Sequence, residues 1–191
     1  SAPEGVNAEK FGSDFDMGVH VLHTFLEGTH EFASKGQTKK LITQLKEYEP
    51  DLIHLHNIHG FYLDVEELFA YLKVCGKPVV WTLHDCWSFT GHCAYFDFVQ
   101  CEKWKQGCKN CAQYRNTYPY ALFKDASEKN YERKKEAFTG VKGLTIVTPS
   151  KWLGGLVKES FLKEYPVKVI PNGIDLEKFV PQKRDVREKH L

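Results

Sequence analysis

The sequence has almost no net charge, no long apolar run and no leader pattern, and each absence narrows what the protein does. Lys and Arg number 26 against 25 Asp and Glu, leaving a formal charge of +1. That balance gives no argument for nucleic acid or an acidic substrate. No apolar stretch approaches the roughly 20 residues needed to span a bilayer. Ser1-Ala2-Pro3-Glu4-Gly5 lacks the basic-then-apolar pattern of a secretory signal, so a cytoplasmic location is expected. There is no internal repeat and no low-complexity segment. Residues 1–12 are small and polar and contain no strand pattern.

What remains is a chain of 191 residues, 42% hydrophobic, that can bury one good core or at most two small ones. Its 13 Phe, 9 Tyr and 4 Trp point to well-filled packing or ring-lined clefts. Phe15, Val19, Leu22, Phe25 and Leu26 recur at helical spacing after a Ser13 N-cap, with Asp14 and Asp16 in the first turn and Gly28 as the stop. A second helix fits 38–49, with Leu41, Ile42, Leu45 and Tyr48 on one face. Strands are predicted at 51–56, 78–84, 144–148 and 167–170, with helices at 64–74, 127–138 and 150–163 between them. The alternation is that of βαβ units, so the expected fold is α/β: a Rossmann-like parallel sheet with helices on both faces. Sheets of this kind begin with a strand near the N-terminus; here that first strand is expected to be missing.

In open parallel sheets, ligands sit at the carboxyl ends of the strands. Reading the strand ends in turn gives His54, His56, Asn57 and His59; then Thr82, His84 and Asp85; then Thr148 and Ser150; then Asn172 and Gly173. His84-Asp85 is the sharpest pair, because a histidine beside a carboxylate is tunable near neutral pH. The bland alternative is a capped strand end. His54-x-His56-x-x-His59 suggests a metal site, since alternation puts His54 and His56 on one face; the competing reading has His56 bordering a cleft and His54 bonded inside. Val169-Ile170-Pro171-Asn172-Gly173-Ile174-Asp175 reads as a strand stopped by a turn, Asn and Gly being the residues that tolerate positive φ. Beyond Phe179 and Pro181 the chain is mostly charged, and it is expected to be part of a larger protein ending just past a hinge.

Four of the six cysteines, Cys93, Cys101, Cys108 and Cys111, fall in one polar loop over 86–118. Cys108-Lys-Asn-Cys111 is the tight hook of a zinc knuckle, and two further thiolates would complete a tetrahedral shell. A long loop inside a compact domain needs a staple, and structural zinc is the expectation, with disulfides or free thiols as the alternatives. Phe89, Tyr95, Phe96, Phe98 and Trp104 are expected to pack around it. Cys86 is a fifth candidate ligand; Cys75 reads as a buried helix-end residue.

The segments 50–56, Val80-Trp81-Thr82-Leu83-His84-Asp85, 147–153 and 169–175 with Phe179 together resemble the retaining, two-Rossmann-domain (GT-B) glycosyltransferases of family four. The cysteine loop, with Trp87 and Phe89-Thr90-Gly91, resembles a branch acting in capsule, exopolysaccharide or colanic-acid-type assembly. The resemblance covers about residues 13–181. It implies an N-terminal, acceptor-side domain over 13–171, and an interdomain hinge with the start of a missing C-terminal domain over 172–191. It implies transfer from a nucleotide-sugar donor, held mainly by that missing domain, to a saccharide or lipid-linked acceptor, at the inner face of a membrane if contact there is peripheral. His84 would lie beside the transferred sugar with Asp85 in support. His56 and Asn57 would face the cleft, and His20 and His30 would line the acceptor side. No Asp-x-Asp metal-nucleotide motif is recognised, and no catalytic metal is invoked. The family's glycine-rich loop after the first strand is absent. Its Glu-x7-Glu motif is matched in spacing only by Glu128 and Glu136, which read as surface charges on a Lys-rich helix. Alone, this stretch is expected to be inactive. Two other functions fit the same residues: a metal-dependent hydrolase using His54, His56, His59 and His84, and a non-catalytic, zinc-stapled binding module.

Overall fold

Short runs that carry Val, Ile, Leu or Trp at alternating positions form the strands: β1 (Ile53–His56), β2 (Val79–Thr82), β3 (Leu144–Thr148) and β4 (Val167–Val169). They make one four-stranded sheet in the order β1-β2-β3-β4, parallel throughout. The computed structural model describes residues 5, 6 and 8–180. Pro181 and the charged tail that follows lie outside the described residues, as do residues 1–4.

Register explains the core. Leu55, Trp81 and Ile146 sit side by side across β1, β2 and β3, as do Ile53, Val79 and Leu144 one step earlier, and all six are buried. Two crossover helices close over this face, α3 (Val65–Val74) and α4 (Ser127–Phe138). Phe69 of α3, Phe138 of α4 and Trp81 form a three-ring contact with centroids 4.5–5.2 Å apart. Burying such rings fully is worth roughly 1.5–3 kcal/mol each. The third crossover, α5 (Lys151–Glu159), packs on the same side. A Cβ on its Gly154 would meet Thr148 Oγ1 at 3.0 Å and the methyls of Val169 and Val167 beyond, so glycine lets α5 sit close to β3 and β4.

The parallel α/β sheet is as expected, but α3, α4 and α5 share one face rather than dividing between two. The strand order never reverses, so each right-handed crossover runs in the same direction and delivers its helix to the same side. On the opposite side of β1, His54 and His56 are exposed.

The helix ends follow the sequence. Ser13 Oγ accepts from Asp16 N–H while Asp16 accepts from Ser13 N–H, a full capping box for α1 (Asp14–Glu27), and Gly28 closes it at φ 69°. Asp64 caps α3 by accepting from Glu67 N–H, but its own N–H donates to Thr38 Oγ1 of α2 (Lys35–Tyr48), so the cap also pins α2. The facing of α1 differs from expectation. Its apolar stripe, Phe15, Val19, Leu22 and Leu26, is exposed, while His20 and Thr24 are buried. Periodicity shows that a stripe exists, not which element meets it, and here α1 docks through polar contacts: His20 Nδ1 to Ser34 Oγ at 2.8 Å and Gln37 Nε2 to Asp16 at 2.8 Å. On α2, Tyr48 is likewise exposed rather than on a buried face.

Candidate functional site

The carboxyl ends of β1 and β2 are neighbours in register, with His56 opposite Thr82. That pairing brings the next residues of each strand together. His56 Nδ1 lies 3.2 Å from His84 Nε2, and the rings stack with centroids 5.5 Å apart. His54 Nε2 is 2.8 Å from Thr82 Oγ1, and its ring lies 4.2 Å from that of His56. Partial burial lowers the pKa of His56 first, and the neighbouring His54 and His84 lower it further. The His56 ring therefore favours the neutral state, in which one nitrogen donates and the other accepts.

Asp85 turns away from this pair and holds the following turn. Its Oδ1 accepts from Trp87 N–H at 2.8 Å, and its Oδ2 is 3.0 Å from His59 Nε2. His59 stacks on the Trp87 indole at 4.9 Å. Tyr118 OH donates to the His59 carbonyl. Asn57, at φ 40°, directs the chain from β1 toward His59, and its carbonyl accepts from Tyr62 OH at 3.1 Å. Asn57, His59, Thr82, His84, Asp85 and Trp87 line a pocket of about 10 Å³, enough for about one water. Any larger ligand at this edge meets an open surface. A larger groove, about 800 Å³, runs between α2 and α3 past Lys39, Lys46, Glu67 and Tyr71. None of the strand-end residues His54, His56, His84 or Asp85 lines it.

The other predicted site residues are placed differently. Ser150 Oγ accepts from Leu153 N–H and caps α5. Asn172 and Gly173 are exposed after β4, and neither has the positive φ expected of them. The turn comes later, where Asp175 Oδ1 accepts from Glu177 and Lys178 N–H. His20 and His30 are not at strand ends. His20 is buried behind Phe61, its pKa lowered by burial to about 4. His30 is buried among Phe61, Trp87 and Tyr118, one layer beneath His59.

Asp14 and Asp16 do have Asp-x-Asp spacing, contrary to expectation. Asp16 is closed on Ser13 and Gln37, and Asp14 pairs with Lys10, which makes the triplet a helix start. Glu128 and Glu136 are exposed on α4, as expected.

Two buried ionisable side chains were missed by the sequence reading. Glu31, at φ 64°, is fully buried, accepts from Phe61 N–H at 2.6 Å and lies 3.1 Å from His30 Nε2. Burial raises its pKa to about 8. Lys134 lies on the Lys-rich helix, yet it is buried. Its Nζ donates to Trp87 O at 2.7 Å and Thr90 O at 3.1 Å and stands 3.5 Å from the Trp87 ring centre. Burial pulls its pKa down to about 7. Its helical position, one turn before Phe138, was the available signal: residues 131, 134, 137 and 138 form one face.

In the loop after β2, Phe89, Phe96 and Trp104 form a small ring cluster, whereas Tyr95 and Phe98 are exposed. Cys93, Cys101, Cys108 and Cys111 line one cavity of about 320 Å³, and all six cysteines are free thiols. Cys86 is buried outside that cavity, and Cys75 ends α3 with its Sγ donating to Leu72 O. Among the described residues, no three His, Cys, Asp or Glu side chains stand in a metal-binding arrangement as placed. Among the described residues, no helix is long and apolar enough to cross a membrane.

Residues 12–178 match the model of Glycosyltransferase Family 4. Among curated proteins, the chain is 31% identical over 137 residues to the putative colanic acid biosynthesis glycosyl transferase WcaC of Escherichia coli (strain K12), a match covering 66% of this chain and 32% of that protein. The chain thus spans about a third of the length of the curated relative it matches. No solved structure matches it.

Proposed function

The chain belongs to Glycosyltransferase Family 4, and from that premise we propose that it is the acceptor-side part of an enzyme that moves a sugar from a nucleotide-sugar donor to a saccharide or lipid-linked acceptor, with retention, in surface polysaccharide synthesis. The observation that carries the reading is the cross-strand pair of His56 and His84 at the carboxyl edge of the sheet, beside the turn that Asp85 ties down. His84 touches the sugar, orienting it and stabilising charge as the bond from the anomeric carbon to the leaving phosphate breaks. The acceptor oxygen attacks on the same face, and its proton passes to the leaving phosphate oxygen. His56 fixes the His84 tautomer, and Asp85, held by His59 and Trp87 N–H, fixes the strand end that carries it.

The openness of this edge suits a site with two walls. A pocket of about 10 Å³ does not enclose a sugar, so the donor nucleotide is held mainly by a second domain reached through the segment after Val169. Residues 13–171 then form one domain, and 172–191 begin the hinge. These residues alone do not catalyse transfer, and no catalytic metal takes part. The acceptor approaches from the side of Asn57. Peripheral contact with the inner membrane face would come through a lipid-linked acceptor.

The test is His84→Ala in the full-length protein, assayed with nucleotide-sugar donors. Transfer is expected to fall about 10²–10³-fold, the range for loss of one group that stabilises developing charge, with an unchanged melting temperature. Transfer at the parent rate removes His84 from the mechanism.

A further inference from the structure

We propose that Cys93, Cys101, Cys108 and Cys111 bind one zinc ion as four thiolates and so staple the loop between β2 and α4. This inference is independent of the transfer reaction. The four thiols border a single cavity with the buried His92 and Ser127, and none is joined in a disulfide. The hook that presents two of them is already built. Lys103 Nζ donates to the carbonyls of Lys109 at 3.1 Å and Asn110 at 2.9 Å, Asn110 takes the left-handed φ of 49° that tightens the turn, and Cys111 N–H donates to Asp125 at 2.6 Å. Among the described residues no three of these ligands are in position as placed, so the loop has to close on the ion. Zinc–sulfur bonds of about 2.3 Å supply the pull.

A second observation calls for negative charge at this place. Lys134 is buried, and its donors end on two carbonyls and the face of an indole ring. Among the described residues, the ion pairs join other side chains. A buried ammonium without a counter-charge is costly. The groups whose field reaches it most strongly are Cys108, then Asp85 and Cys93. Four thiolates on Zn²⁺ carry a net charge of −2, so the cluster places the missing counter-charge beside Lys134. His92 adds to the case: it is 3% exposed, lines the same cavity, and its Nε2 has no hydrogen-bond partner in the described structure. Binding breaks four S–H bonds, forms four Zn–S bonds and releases four protons, with no change in oxidation state. The loop gains a fixed centre that its three single-turn segments, at Trp87–Phe89, Asp97–Val99 and Lys103–Lys105, do not supply.

The chain, purified without chelator, is expected to carry about one zinc per molecule by elemental mass spectrometry. Exchange for cobalt(II) should give intense thiolate-to-metal absorption in the near ultraviolet and the visible bands of a tetrahedral site. Cys108→Ser and Cys111→Ser should each weaken cobalt binding at least tenfold, while Cys75→Ser binds like the parent. A metal-free parent with six titratable thiols overturns the proposal, and so does a disulfide between any two of the four detected by peptide mass. Equal loss in Cys75→Ser overturns it too. If the Cys108 and Cys111 variants do not fold, the cobalt spectrum of the parent decides alone: absence of tetrahedral thiolate bands is fatal.

Discussion

His56 and His84 share one hydrogen bond, Nδ1 to Nε2 at 3.2 Å, across the ends of two parallel strands. Each imidazole therefore sets the other's tautomer, and a second proton on the pair would bring two cations face to face. His56 has its pKa lowered by burial first and by His54 and His84 next. Its ring resonance should titrate below the usual histidine range of about 6.5 in the parent and move upward in His84→Ala. The measurement is a carbon–proton NMR titration of the labelled chain. An unmoved His56 in that variant would show that the two rings are not coupled.

Gly91 is a packing constraint in the loop. A Cβ there would meet Ser127 O at 2.1 Å and Cys108 Cβ at 2.6 Å. Gly91→Ala should lower stability by about 1–3 kcal/mol, the usual cost of forcing extra atoms into a packed region. Urea denaturation gives the midpoint shift; a parent-like midpoint would mean that the loop gives way without cost.

Glu31 should make stability fall as pH rises. Its folded pKa, raised by burial to about 8, lies above the unfolded value of about 4.5. The native state keeps a proton that the unfolded chain has lost, so its contribution is complete below pH 4.5 and drains away toward pH 8. His20 and His92, both lowered to about 4 by burial, act in the opposite sense and weaken the fold between pH 6.5 and 4. The difference in unfolding free energy between Glu31→Gln and the parent isolates the carboxyl. It should move in favour of the variant from pH 5 to pH 8; a difference that is flat with pH contradicts the assignment.

Lys134→Ala should destabilise the turn after Asp85 as well as the core. It strips the donor from Trp87 O and Thr90 O. Leaving a buried acceptor unpaired costs about 1–3 kcal/mol. Hydrogen exchange at Trp87 and Thr90 amides should speed up more than at the β1 and β2 amides. Uniform acceleration would mean that the lysine serves global stability alone.

The order of strands and helices could be read from the sequence because the strands are short apolar runs bounded by polar or Pro/Gly residues and several helices carry a strong cap or stop, such as Asp64 for α3, Ser150 for α5 and Gly28 for α1. The strand-end histidines followed from that order. Other features depended on contacts between distant segments. The apolar face of α1 was visible as a pattern, but His20 and Thr24 are the buried residues because Ser34, Gln37 and Phe61 meet that side. Ser150 follows the end of β3, and its hydroxyl is engaged as the cap of α5. Lys134 looked like one lysine among several, and only the fold of the loop over α4 encloses it.

All four strands point the same way, and this gives the molecule a back as well as a front. At the amino edge, Gly76-Lys77-Pro78, Val141-Lys142-Gly143 and Tyr165-Pro166 carry packing contacts such as Tyr165 OH to Phe138 O. None of the strand-end histidines lies there. Lys142 is exposed on that edge. A dye, tether or surface attached through it would leave His56 and His84 facing the solution, so the chain can be immobilised for binding measurements without covering the edge where a sugar would dock.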